Sequence, residues 1–328
     1  MVGVLETDSA SRYCLRDRDD SLLLSALRTG LRALPSSLRG MLFMFLGTIT
    51  GVCMHATVRH MTESYHPFEL AFFRNSLALL FLAIPLARIG IAPLRTRNPR
   101  LHLLRGFLTT CSMLAFFTAL SMTPLAQVTA LAFTAPLFAT LLAIVFLGEV
   151  VRTRRWIAIV IGFAGTLVIL RPGIVEFDLG SVLTVVSAAV WGAAIIITRV
   201  LGRVESSHTI TFYLALSMTV FSFVPATFVW VWPEPGQYLM LLLIAAFGTV
   251  TQLSVTQALR LGETAVVMPI DFFKLVWATA FGFLFFGEHP DTMTLVGGGM
   301  IFISATYIAW RESQLGRLGS NRHEGNAE

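Results

Sequence analysis

Ten apolar blocks, most of them about twenty residues long, alternate with short polar segments along this chain. They run over residues 40–58, 68–87, 102–121, 124–147, 155–171, 180–198, 209–230, 237–259, 264–286 and 293–310. A helix rising 1.5 Å per residue needs about twenty residues to cross a hydrocarbon layer of roughly 30 Å. Each block therefore predicts one membrane-spanning helix. Connections such as Ser121–Pro124 are so short that neighbouring helices must run antiparallel. The expected fold class is an all-α polytopic membrane protein with ten transmembrane helices.

Residues 1–39 precede the first block, and Met1 to Asp20 carries no apolar stretch of the kind a secretory signal needs. Leu24, Leu27, Leu31, Leu34 and Leu38 recur on one helical face, with Arg28, Arg32 and Arg39 to one side. That is the pattern of a basic amphipathic helix lying on an anionic surface, although Gly30 and Pro35 weaken it and an unstructured leader accounts for it equally well.

Composition strengthens the membrane reading: 55% of the 328 residues are hydrophobic and only 13% are charged, where soluble chains average about a quarter charged. Charge adds orientation. With the amino terminus cytoplasmic, nineteen arginines fall in cytoplasmic segments, and only Arg59 and Arg171 fall opposite. Such asymmetry follows the positive-inside rule and places both termini in the cytoplasm, in a bacterial inner membrane. The net charge of +5 is thus a topology signal, and no nucleic-acid partner is expected. Cys14, Cys53 and Cys111 have no metal-ligand spacing and read as reduced packing residues. No metal and no cofactor are expected.

The two halves of the chain repeat. At an offset of 139, Ala126, Val128, Phe133, Ala139-Thr140, Phe146 and Gly148-Glu149 match Ala265, Val267, Phe272, Ala278-Thr279, Phe285 and Gly287-Glu288. At an offset of 140, Gly40, Arg59, Phe72, Phe81 and Pro85 match Gly180, Arg199, Phe212, Phe221 and Pro225. Five spans per copy is an odd number, so the copies must be inserted in opposite directions. The strongly basic Arg152-Thr153-Arg154-Arg155 loop and its uncharged-to-acidic counterpart His289-Pro290-Asp291-Thr292 agree with that inversion. The expected organisation is a leader over 1–39, a first repeat over 40–173, a second over 179–311 and a cytoplasmic tail over 312–328. Inverted repeats are characteristic of secondary transporters, because two related conformations can exchange and open one site to either side.

Certain motifs resemble the tandem EamA domains of the drug/metabolite transporter superfamily. These are the Gly148-Glu149 and Gly287-Glu288 helix ends, Arg171-Pro172-Gly173, Phe73-Arg74 and Ala258-Leu259-Arg260. The resemblance covers about residues 40–312. It implies ten helices around a central cavity and a permease for a small organic metabolite. Family members carry amino acids, amines, sugars, nucleotide-like metabolites or vitamins, inward or outward, with riboflavin and S-adenosylmethionine carriers among them. Nothing in these motifs chooses an amino acid or amine exporter over a vitamin-like or S-adenosylmethionine-like uptake carrier. The halves are not equivalent, because Leu214 stands where the first half has Arg74.

Ionisable groups inside a bilayer are costly unless paired or hydrated, and so they are the first candidates for a solute or proton pathway. Asp271 and Lys274 lie three apart on one helical face and can pair, either around a cavity with Asp271 carrying a coupling proton, or as a structural bridge. Arg74 either meets an acidic group of the solute or pairs with Glu69, the structural pairing being favoured. Arg105 reads as an anchor that snorkels to the cytoplasmic surface. Gln252 and Thr256 share a face, and Gln127 stands on the fourth span; all three could bond a polar solute or glue helices together. His55 is a possible proton carrier or a packing residue. Phe133, Trp191, Tyr213 and Phe272 could wall a planar or aromatic solute. Pro136 and Pro269 interrupt helices and mark candidate hinges or static kinks.

Rival functions fit less well. The sequence contains no His-Glu-x-x-His, no Gly-x-Ser-x-Gly and no second buried carboxylate beside Asp271, so an enzyme is not expected. A channel would need rings of coordinating groups, usually from several subunits, and a receptor would normally add a signalling domain.

Overall fold

The computed structural model describes residues 35–89, 96–148, 153–172, 178–202, 204–205, 207–262, 264–289 and 291–324. The amphipathic leader up to residue 34, Cys14, Glu149 and Gly173 lie outside these. The described residues contain the helices α1 (Ser36–Met61), α2 (Pro67–Ile89), α3 (Pro99–Met122), α4 (Leu125–Ala132), α5 (Ala135–Leu147) and α6 (Thr153–Leu170). They continue with α7 (Leu179–Gly202), α8 (Ser207–Thr227), α9 (Tyr238–Leu261), α10 (Thr264–Val267), α11 (Phe273–Phe286) and α12 (Thr292–Glu324). The fourth span is α4 and α5 together. The ninth is α10 and α11 joined by a 3₁₀ turn over Met268–Phe272. Eight spans among the described residues have the length and hydropathy to cross a bilayer, Trp156–Leu170 is a shorter apolar one, and α2 with Arg74 and Asn75 makes the tenth.

Local chemistry sets the ends of these helices. Proline opens α2 and α3 and directly precedes α4, where its missing N–H loses nothing. The repeated Phe-x-Gly-Glu motif is a helix stop. Gly148 and Gly287 take φ of 65° and 63°, a left-handed conformation that a side chain disfavours. At the second copy the Glu288 N–H donates to Gly282 O at 2.9 Å, closing the wider turn that such a stop makes.

Packing follows a pseudo-two-fold that exchanges the first five spans with the last five. The pairs α1–α9 and α3–α7 are counterparts, as are α2–α9 and α3–α8, while α2–α8 and α6–α12 map onto themselves. Matching close contacts recur. In α1–α9, a methyl built on Gly40 would come 2.9 Å from the backbone N of Gly262; in α3–α7, the same addition at Gly180 would collide with Thr123. Thr50 and Thr251 share a 2.8 Å hydroxyl bond across α1–α9, and Ser112 and Ser187 exchange bonds across α3–α7. In α6–α12, Gly165 faces Gly297, and the Ser304 hydroxyl donates to Ala158 O. Small residues allow these approaches because lipid supplies little hydrophobic drive between helices, so close packing and buried hydrogen bonds must hold them.

The outer surface is apolar, with Val145, Phe146, Leu284 and Phe285 largely uncovered. In water that belt would be an aggregation site; in lipid it is the expected coat. Trp156, Trp232 and Trp310 are exposed near span ends, and Trp230 packs edge-on against Trp232, as residues at a membrane–water boundary do.

Candidate functional site

A cavity of about 460 Å³ lies between the repeats, within the ~300–1,000 Å³ of ordinary small-molecule sites. Every span lines it except the fifth and tenth, α6 and α12, which pack on one another at its back.

Ionisable groups enter from four spans. Asp271 lies in the 3₁₀ turn and Lys274 opens α11, so the pair forms across one turn at 2.6 Å. Arg74 Nη1 on α2 donates to Asn75 Oδ1 at 3.0 Å and reaches Met113 Sδ at 3.5 Å. Its Nε is buried without a partner. Arg105 Nη1 on α3 donates to Ile210 O at 3.1 Å. On α1, the His55 ring tilts against Phe116 at 4.9 Å, and its buried Nδ1 has no partner. Between these stand Asn75, Thr109, Ser112, Thr129, Thr184, Ser187, Thr211 and Gln252.

Both broken spans pass beside the cavity at corresponding repeat positions. The chain turns at Phe133 and Thr134 in the first and at Met268–Phe272 in the second. Pro136 has no N–H to give the Ala132 carbonyl, and both residues face the cavity. Pro269 sits inside the 3₁₀ turn and is not part of the lining.

Towards one end the bundle is tied across the repeats. Arg59 ends α1, pairs with Glu288, and donates to Leu120 O at 2.8 Å and to Thr123 O. Glu288 Oε2 also accepts the Leu125 N–H at 2.9 Å, satisfying the start of α4. Asp178 accepts the Thr123 hydroxyl and the N–H groups of Gly180 and Ser181, and Gln127 Nε2 donates to Ser181 Oγ at 2.7 Å. Arg171 pairs with Asp291 nearby. At the opposite end Glu205 accepts the Thr96 hydroxyl at 2.6 Å, with Asn98 Nδ2 and the Arg97 N–H further out. These donors, Thr96 first, hold the Glu205 carboxyl below the usual carboxylate range.

The structure thus gathers Asp271, Lys274, Arg74, His55, Gln252, Phe133, Trp191 and Pro136 around one space. It places the other sequence candidates elsewhere. Thr256 is exposed and donates to Gln252 O on its own helix. Gln127 belongs to the Asp178 tie. Tyr213 stacks on His102 at 4.8 Å, and Phe272 packs on Phe302 at 4.4 Å. The expected Arg74–Glu69 pair does not form: Glu69 is fully buried and accepts the Val231 N–H at 3.4 Å, at the far start of α2. Arg105 is a cavity residue and not only an anchor. Its helix begins at Pro99, earlier than the apolar block, which sets Arg105 nearly two turns inside. The rule that intramembrane charge marks function would have found it. The small hydroxyl residues carried no comparable signal, since most such groups in these helices bond a carbonyl one turn back.

The sequence matches the EamA-like transporter family twice, over residues 38–171 and 178–310. This chain belongs to that family. A riboflavin transporter of Rhizobium johnstonii is 32% identical over 87% of this chain and 96% of its own length. An S-adenosylmethionine uptake transporter of Rickettsia felis is 27% identical, covering 89% and 98%. A pseudopaline exporter of Pseudomonas aeruginosa is 26% identical, covering 82% and 95%. One solved crystal structure superposes with a TM-score of 0.56 at 20% identity, over 83% of this chain and 96% of that one, a likeness of fold. The protein is a multi-pass, small-metabolite permease built as ten spans in a 5+5 inverted repeat.

Proposed function

We propose that this EamA permease carries its solute by alternating access, with the central cavity as the solute site. The cavity lies between two oppositely inserted repeats and takes charged groups from both, and this carries the reading. Rocking one repeat against the other would exchange which end is closed, with the symmetric close contacts as rolling points. Both termini lie in the cytoplasm of a bacterial inner membrane, the orientation favoured by the arginine distribution. A solute or proton gradient supplies the energy, and Asp271 is the residue to exchange a proton with or contact the solute. The names of relatives support a cargo such as a riboflavin-like vitamin, an S-adenosylmethionine-like solute or an exported metabolite.

Counterflow in proteoliposomes tests the mechanism. Solute loaded inside should accelerate entry of labelled solute from outside. Entry unaffected by internal solute would identify a channel and remove the carrier reading.

A further inference from the structure

Which kind of solute suits the cavity follows from its charges. Lys274 is already neutralised by Asp271. Arg74 and Arg105 have no carboxylate partner among the described residues; their bonds go to an amide, a thioether and a backbone carbonyl. Two cations therefore face the space uncompensated. The Arg74 guanidinium packs on Gly248 of α9, where an added methyl would sit 3.1 Å from Nε. Its unpartnered Nε and the unpartnered His55 Nδ1 are both buried, and both residues line the cavity. The Arg74 Nε–H is a buried donor with no acceptor from the protein, which leaves its charge less compensated still.

Among the small hydroxyl and amide groups of the lining stand large apolar side chains. Phe116, Phe133 and Trp191 contribute aromatic side chains to it. Aromatic walls favour planar, polarisable rings. A solute cation would meet like charge in a low-dielectric space, with Asp271 already engaged.

Building on the carrier reading, we propose that the cavity selects flat conjugated solutes that present an anionic or strongly hydrogen-bond-accepting edge to Arg74 and Arg105, and that it rejects solutes of net positive charge.

Three flat tricyclic fluorophores of different charge test this: a neutral flavin, its 5′-phosphate, and a cationic acridine. Binding to the purified full-length protein is read from quenching of each fluorophore. The flavin and its phosphate should bind at least about tenfold more tightly than the acridine, as loss of one charge-assisted hydrogen bond predicts. Arg74→Gln should weaken both flavins roughly 10–100-fold and leave the acridine unchanged or improved, while Arg74→Lys restores part of the loss. The wild-type charge series stands even if a variant fails to fold. Equal or tighter acridine binding, no binding of either flavin, or flavin binding indifferent to Arg74→Gln would overturn the proposal. Counterflow with the same probes separates it from the carrier reading. Selective binding without counterflow would remove the carrier and leave the selectivity, whereas counterflow of the acridine alone would remove the selectivity and leave the carrier.

Discussion

Arg59 and Glu288 join the last turn of α1 to the stop of α11, so that one ion pair ties the first repeat to the second. The same two side chains satisfy three backbone groups at helix ends: Arg59 donates to Leu120 O and Thr123 O, and Glu288 accepts the Leu125 N–H. Half-buried carboxylates of this kind are held by several partners at once, and removing one leaves the others unsatisfied.

Glu288→Ala should therefore destabilise the purified protein more than Glu288→Gln. The amide keeps an acceptor for the Leu125 N–H and loses only charge, a difference of about 1–3 kcal/mol for the buried bond. Melting temperatures in detergent decide it; equal values would mean that the backbone bond contributes nothing.

Asp271→Asn should abolish transport while the protein remains in the membrane. It leaves the Lys274 ammonium unpaired in a cavity that already holds Arg74 and Arg105. The double variant Asp271→Asn with Lys274→Gln removes that stray charge and should recover stability without recovering transport. Recovery of transport in the double variant would assign Asp271 a structural role alone.

The close contacts make a graded series. Gly40→Ala pushes a methyl to 2.9 Å from the Gly262 backbone N and 3.1 Å from Ala258 O, atoms that cannot rotate away. A loss of about 1–3 kcal/mol is expected. Gly299→Ala is the control, because nothing lies within 4 Å of its added methyl, and it should be neutral or gain up to about 1 kcal/mol from helix propensity. Thermal unfolding of both variants checks the order.

Glu205 gives a pH signature outside the membrane. Its carboxyl is held below the usual range by Thr96 and its neighbours, so the stabilisation is present above the unfolded-state pKa and fades as pH falls through the lowered one. Wild type should melt above Glu205→Gln at neutral pH, and the gap should close below about pH 4. A gap unchanged by acid would show that the Thr96 bond does not favour the charged form.

The repeat made more of this architecture legible than hydropathy did. Matched positions such as Gly40 with Gly180, and Phe133 with Phe272, revealed the repeat, and its odd count of five spans predicted the inversion; the structure gives it geometry in the paired contacts at Gly40–Gly262 and Gly180–Thr123. The Asp271–Lys274 pair was equally readable, because spacing of three places two side chains on one face whether the turn is α or 3₁₀. Phe-x-Gly-Glu was visible as a motif, but its glycine's left-handed turn and its glutamate's ties to Arg59 and Leu125 were not.

Single-helix reasoning failed wherever the answer depended on which neighbour a face meets. Thr256 lies four residues from Gln252 and yet points outside, Arg74 turns away from Glu69, and Arg105 lines the cavity. Along one helix, spacing fixes which residues share a face, and apolar length fixes the number of spans; these belong to the sequence. The rotation of each helix about its axis, and hence which polar groups converge on a common space, is set by packing between residues far apart in the chain. That is why the ten spans and their inversion could be read from the order of residues, and the cavity with its two uncompensated arginines only from the folded structure.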